Sequence, residues 1–179
     1  MLDSISNRLE MLSLLPRGVC AEVGVLAGFF SKQILTTNPQ MLYMIDCWEQ
    51  QTGEYTQDPA NQVDFPNLYK YIHNEFGGFP NTTIIKRYSV VAAKMFPDLF
   101  FDWVYIDANH GYDAISQDIK VWWPKIKNGG YLTGHDYVDN LDGYSFIQVK
   151  LAVDHFVTDN NHSLIITQEI DFPSWIIQK

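Results

Sequence analysis

The stretch from Asp102 to Tyr137 constrains the fold more than any other. It contains an apolar run closing on Asp107, a longer stretch of helical character, and a second apolar run closing on Asp136. Tyr112, Ile115, Ile119 and Trp122 recur at helical spacing with Asp113, Gln117, Asp118 and Lys120 between them, so one face is buried and the other is wet. Pro124 ends the helix, and Asn128-Gly129-Gly130 predicts a turn into the next strand. A strand, a crossover helix and a second strand make a parallel pair. In an open parallel sheet the carboxyl ends of the strands share one edge, where ligands bind, so Asp107 and Asp136 are expected at one cleft. His110 and His135 stand near them in sequence. Simple alternation along a strand turns His135 to the face opposite Asp136, which makes His110 the better candidate for meeting a substrate.

The remaining chain repeats the pattern. Leu2, Ile5, Leu9 and Leu12 predict an N-terminal helix over 2–15, capped by Asp3 or Ser4 and ended by Pro16. That helix is free to cover its own domain or to pack on a second copy, so a homo-oligomer stays open. Gly18 to Gly24 reads as a buried strand carrying Glu22, followed by a tight turn and a helix through Phe29, Phe30 and Ile34. Met41 to Ile45 is a second strand, ending on Asp46. Residues 47–66 have no clear period and are read as an inserted substrate lid, with Trp48, Tyr55 and Phe65 as its covering aromatics. A helix around Leu68 to Phe76 leads to a strand over Thr82–Lys86, and Ser89 is expected to cap a short helix. Ser145 is expected to open a helix with Val149, Val153, Phe156 and Val157 on one face. Two closing strands, 163–167 and 175–177, are joined by a short connection and should be antiparallel. The fold expected is α/β, a doubly wound, mostly parallel seven-stranded sheet with an antiparallel C-terminal strand, in a single domain over 1–179.

Composition narrows the function. The chain's 179 residues are 46% hydrophobic, enough for a sizeable core. A net charge of −9 argues against nucleic acid as a partner, because affinity for phosphate backbones comes from Lys and Arg. Two cysteines, Cys20 and Cys47, do not make a disulfide framework and fit a reducing compartment. Polar residues among the first apolar ones and the lack of a membrane-length apolar run lead us to expect a cytoplasmic protein with no membrane partner.

The chemistry begins at Glu22-Val-Gly24-Val-Leu-Ala-Gly28-Phe-Phe-Ser31. Glycines between a strand and a helix let a ligand approach backbone and helix N-terminus closely. The dinucleotide fingerprint needs a glycine where Leu26 stands, which tells against a pyrophosphate, whereas Asp46 sits where an acid accepts from ribose hydroxyls. The pocket is therefore expected to take a nucleoside without phosphates. In this arrangement the sequence resembles class I S-adenosylmethionine-dependent methyltransferases. Glu22-x-Gly24-x-x-x-Gly28 is similar to that family's first motif and Asp46 to its ribose-binding acid, while Arg87-Tyr88-Ser89 falls where the family contacts adenine. Asp107-x-x-His110-x-Tyr112, Asp118, Trp123, Gly129-Gly130 and Gly134-His135-Asp136-Tyr137 resemble a bacterial subfamily related to macrolide-sugar and catechol-type O-methyltransferases. The likeness spans roughly residues 18 to 157.

The resemblance implies S-adenosylmethionine as cofactor, with Glu22, Gly24, Gly28, Asp46, Ser89 and Asp107 around it, and a small hydroxylated acceptor of sugar or phenol type. It places His110 as general base beside Asp107, since an imidazole near its ordinary pKa of about 6.5 suits that work. It also implies a divalent metal, Mg²⁺, on Asp107 and Asp136, although Tyr137 stands where catechol-type enzymes carry a further Asn or Asp ligand. The alternative is a nucleoside-binding module without catalysis, and an oxidoreductase is a weaker third. Bland readings accompany these: Glu22 as a loop cap, the glycine pair as turn chemistry, Trp122 and Trp123 as packing, and His73, His155 and His162 as satisfied side chains.

Overall fold

The computed structural model describes residues 4–53, 56, 59–141 and 144–179. Its strands are the short apolar runs: β1 (Val19–Val23), β2 (Met41–Asp46), β3 (Thr82–Lys86), β4 (Phe101–Ile106), β5 (Ile126–Gly134), a small hairpin of β6 (Asp139–Leu141) and β7 (Tyr144–Gln148), then β8 (Leu164–Ile166) and β9 (Trp175–Gln178). The α-helices among the described residues are α1 (Arg8–Leu14), α2 (Phe29–Thr36), α3 (Phe65–Phe76), α4 (Ser89–Ala93), α5 (Tyr112–Trp122) and α6 (Val149–Asn160). The main sheet has seven strands in the order β3-β2-β1-β4-β5-β9-β8. β9 runs antiparallel to both neighbours, and the other pairs are parallel. The expected architecture and its antiparallel C-terminal strand are thus present.

Because successive strand residues point to opposite faces, the two sides of the sheet build two separate cores. Leu42, Trp103 and Tyr105 pack with Met11, Leu12, Ile34, Ile72 and Phe76 of α1, α2 and α3. Val104, Ile106 and Leu132 pack with Ile115, Ile119, Trp122, Val149 and Val153 of α5 and α6. Trp122 is fully buried, as a packing residue should be. The strand order reverses direction between β1 and β4, and the crevice above that point is where open α/β sheets take their ligands.

Several boundaries differ from the sequence reading, each for a local reason. The N-terminal helix begins at Arg8 rather than residue 2, because the Asn7 side chain caps it by accepting from the amides of Leu9 and Glu10. α1 lies on its own domain, burying Ile5, Met11, Leu12 and Leu15. Asp64 caps α3 at Phe65, three residues earlier than the apolar spacing indicated. Tyr88, not Ser89, holds the cap position of α4. Gly129 and Gly130 lie inside β5, where the register with β4 shifts, instead of preceding the strand. Ser145 belongs to β7, and α6 starts at Val149.

Candidate active site

A cavity of about 610 Å³ opens at the carboxyl edge of β1, β2 and β4, lined among others by Glu22, Gly24, Asp46, Ser89, Asp107 and Asp118. Its floor is the β1–α2 loop. Gly24 has a φ of +95°, and a Cβ there would meet the Asp107 carbonyl oxygen at 1.8 Å, so the loop can cross β4 this closely only with glycine. Gly28, expected against the cofactor, does not line the cavity. It opens α2 at a φ of +73°, where an added Cβ would meet the Phe76 ring of α3. No side chain caps α2, which leaves its first-turn amides available to a ligand.

Three carboxyl groups along the cavity differ sharply in environment. Glu22 is buried and accepts a hydrogen bond from the equally buried Ser31 hydroxyl. Burial raises its pKa well above the ordinary carboxylate range, with the Ser31 bond working against that and the negative charges of Asp107 and Asp46 adding to it. Asp46 accepts from the amides of Leu26 at 2.8 Å and Trp48 at 2.7 Å, one on each oxygen. Its pKa is raised by burial, and those backbone bonds hold the rise down. Asp118 accepts from the Ser89 hydroxyl, which in turn accepts from the Trp122 indole at 2.8 Å. Burial pushes the Asp118 carboxyl up to about 7, with the Ser89 bond opposing.

The acids and histidines of β4 and β5 meet as expected, with one addition. His110 Nε2 lies 3.0 Å from Asp136 and 3.5 Å from Asp107. His135 Nδ1 lies 3.1 Å from the other Asp136 oxygen and 4.0 Å from Asp107. The expectation that His135 faces away is therefore overturned. β5 ends at Gly134, and Asp136 takes a left-handed φ of +52°, which breaks the alternation and brings residues 135 and 136 to the same cluster. Burial alone would raise the Asp136 pKa, but hydrogen bonds from the two imidazoles outweigh it and hold the carboxyl well below its usual range. Burial likewise opposes charge on His135, yet Asp136 and Asp107 raise its pKa overall. Asp107, His110 and Asp136 each place a ligand atom within 4.8 Å of the others, an arrangement of the kind that holds a metal ion.

The segment 47–66 borders the cavity through Cys47, Glu49, Gln51, Ala60, Asn61 and Phe65. Of the aromatics expected to cover the acceptor, Trp48 turns away from the cavity. Trp48 is buried in the core with its indole donating to the Leu26 carbonyl at 3.0 Å, Phe65 is the buried first residue of α3, and Tyr55 lies outside the described residues. The buried Asn61 instead staples the segment, exchanging bonds with the Gln51 backbone at 2.6 and 2.9 Å. Sequence reading also missed Arg8, which lines the cavity from α1; nothing in the pattern of α1 sets it apart from the other polar residues there. Of the lone histidines, His155 pairs with the Tyr112 hydroxyl at 2.9 Å, and His162 and His73 sit against aromatic rings.

Residues 21–137 match a family model described as a methyltransferase domain, and the chain belongs to that family of S-adenosylmethionine-dependent enzymes. No curated protein sequence matches the chain. Among solved structures it is similar to the O-methyltransferase NovP, with a TM-score of 0.68 at 17% identity over 96% of this chain and 80% of that one. A Staphylococcus aureus protein assigned as a caffeoyl-CoA O-methyltransferase gives 0.68 at 13% identity, covering 96% and 83%. The N-methyltransferase NodS from Bradyrhizobium japonicum gives 0.64 at 12%, covering 96% and 92%. At these identities the likeness is one of fold, and it includes enzymes named for oxygen and for nitrogen acceptors.

Proposed function

We propose that this methyltransferase acts on a hydroxyl of a small sugar-like or phenolic molecule, with His110 as the base. The observation that carries the reading is the His110 imidazole on the cavity wall between two carboxylates. The cavity fits the cofactor in the chemistry of its walls: Asp46 keeps lone pairs for ribose hydroxyls beyond its two backbone bonds, Ser89 and Asp118 offer polar atoms to an adenine, and Glu22 and Gly24 frame the end nearest β1. When bound, S-adenosylmethionine would supply a methyl group to the acceptor oxygen from a positively charged sulfur, which would keep the electron pair of the broken carbon–sulfur bond.

The chain's part is to take the acceptor's proton. With the hydrogen placed on His110 Nε2, the nitrogen 3.0 Å from Asp136, Nδ1 is the nitrogen that receives the proton. Both ring nitrogens are screened from solvent. Asp136 and Asp107 then stabilise the imidazolium, as paired carboxylates do for a catalytic histidine. A second hollow lined by Asn109, Tyr112, Phe146 and Gln148 adjoins the His110 loop, and its mixture of polar and aromatic groups suits a hydroxylated ring as acceptor.

A magnesium ion fits this cluster poorly. Mg²⁺ prefers an all-oxygen shell, whereas the residues meeting here are two carboxylates and two imidazoles, with both Asp136 oxygens engaged by histidines. Cys20 and Cys47 are free thiols, and no helix among the described residues is long and apolar enough to cross a membrane. Methyl transfer to hydroxylated sugars and phenols, measured with and without EDTA, tests the reading: a chelator-resistant rate abolished by His110→Ala supports it. A rate indifferent to that substitution at every pH would overturn it. The opposing reading, a nucleoside-binding module without catalysis, would show cofactor binding and no transfer to any acceptor.

A further inference from the structure

We infer that Arg8 is a carboxylate-binding residue, carried into the cleft by α1 to hold the amino-acid end of the cofactor. The inference rests on the cofactor reading above and adds a contact that no motif in the sequence marks. α1 is fixed to the domain by three independent attachments: buried Ile5, Met11, Leu12 and Leu15, a backbone bond from Gln168 to the Ile5 carbonyl at 2.9 Å, and a bond from the Arg8 amide to Glu169 at 3.2 Å. So anchored, the Arg8 side chain turns inward and lines the main cavity beside Glu22 and Gly24. Its guanidinium carbon lies 5.3 Å from the centre of the Phe30 ring, and one guanidinium nitrogen is 3.4 Å from His135 Nε2.

These neighbours hold the group in place without neutralising it. A guanidinium offers five hydrogens in a planar fork that matches a carboxylate. Among the described residues, no carboxylate lies within ion-pair distance of it, whereas Lys32, Lys125, Lys127 and Lys150 each have such a partner. An arginine aimed into a cleft, stacked on an aromatic ring and lacking an acid, is arranged for an anion from outside the chain. The anion is identified by what lies next to it. Glu22 borders the same end of the cavity, close enough that Arg8 lowers its pKa against the larger effect of burial. An acid and a guanidinium lining one cavity complement a zwitterion, an ammonium and a carboxylate on one carbon, which is the amino-acid end of S-adenosylmethionine.

The test uses two probes that differ only in that carboxylate: S-adenosylhomocysteine and its decarboxylated amine, S-adenosyl-3-thiopropylamine. Both are titrated calorimetrically into the full-length protein and into Arg8→Ala and Arg8→Lys. The unsubstituted protein should prefer S-adenosylhomocysteine by about tenfold to a hundredfold, the worth of a charge-assisted contact. Arg8→Ala should erase that preference and leave the amine's affinity within about twofold, and Arg8→Lys should restore part of it. Equal loss for both probes would show that Arg8 only seats α1 and would overturn the inference. So would unchanged S-adenosylhomocysteine affinity accompanied by a higher KM for the acceptor, which would assign the guanidinium to an anionic acceptor. Equal binding of both probes to the unsubstituted protein sinks this inference alone, whereas failure of both to bind sinks the cofactor reading as well.

Discussion

Replacing Asp118 by Asn should stabilise the protein, and by an amount that depends on pH in a calculable way. Asp118 is 4% exposed, and its carboxyl is raised from an ordinary 3.8 to about 7 by burial. A raised carboxyl pKa means that the folded state binds the proton more tightly than the unfolded chain, so stability falls as pH rises from about 3.8 to about 7 and is level above that. Each pH unit in that window is worth about 1.4 kcal/mol, so ionised Asp118 costs roughly 4 kcal/mol above pH 7 and roughly 1.6 kcal/mol at pH 5. Asparagine keeps an oxygen to accept from the Ser89 hydroxyl and carries no charge. The stabilisation from the substitution should therefore grow by about 2 to 3 kcal/mol between pH 5 and pH 7 and stay flat to pH 8. Urea unfolding of both proteins at half-unit pH intervals reads this directly. A difference that does not change with pH would refute the placement of Asp118 in a dry site.

Other expectations follow from the same geometry. Glu22→Gln should also be more stable than the parent at neutral pH, with the gain shrinking as pH falls toward the ordinary glutamate range, because burial raises the Glu22 pKa; thermal unfolding at pH 5 and pH 7.5 would show it. Gly24→Ala should destabilise strongly, since its Cβ would overlap the Asp107 carbonyl and its φ is +95°; a loss below about 1 kcal/mol in urea unfolding would contradict the crossing described. Cys47, with its thiol pushed up to about 11 by burial and the Asp46 charge, should react slowly with iodoacetamide at pH 7.5 and gain rate on addition of denaturant. Deleting residues 52–57 should impair turnover far more than affinity for S-adenosylhomocysteine, and equal loss of both would mean the segment serves folding alone.

Long periodic segments were legible in the sequence, and contacts between segments were not. The helix from Tyr112 to Trp122 and the strands closing on Asp46 and near Asp107 could be read because burial on one face or both leaves a period in the residues. The apolar spacing continues N-terminally past the point where Asn7 caps α1, so it overstates the helix. Trp48 follows a strand end, where a lid residue is expected, yet its backbone takes a φ of +42° and its ring is buried in the core. Strict alternation turns His135 away, a rule that lapses once β5 ends and Asp136 adopts a left-handed backbone. Arg8 was invisible for a different reason: its place in the cleft depends on how α1 docks against the segment around Gln168 and Glu169, far away in the chain.

Calorimetric titration with S-adenosylhomocysteine, run on the parent protein and on Asp46→Ala, tests the central claim most directly. The parent should bind it with micromolar affinity and should not bind NAD at comparable concentration. Loss of the Asp46 carboxylate should weaken binding by about 1.5 to 3 kcal/mol, a factor of roughly ten to a hundred and fifty. Binding of NAD in place of S-adenosylhomocysteine, or an Asp46→Ala protein that binds as tightly as the parent, would contradict the account.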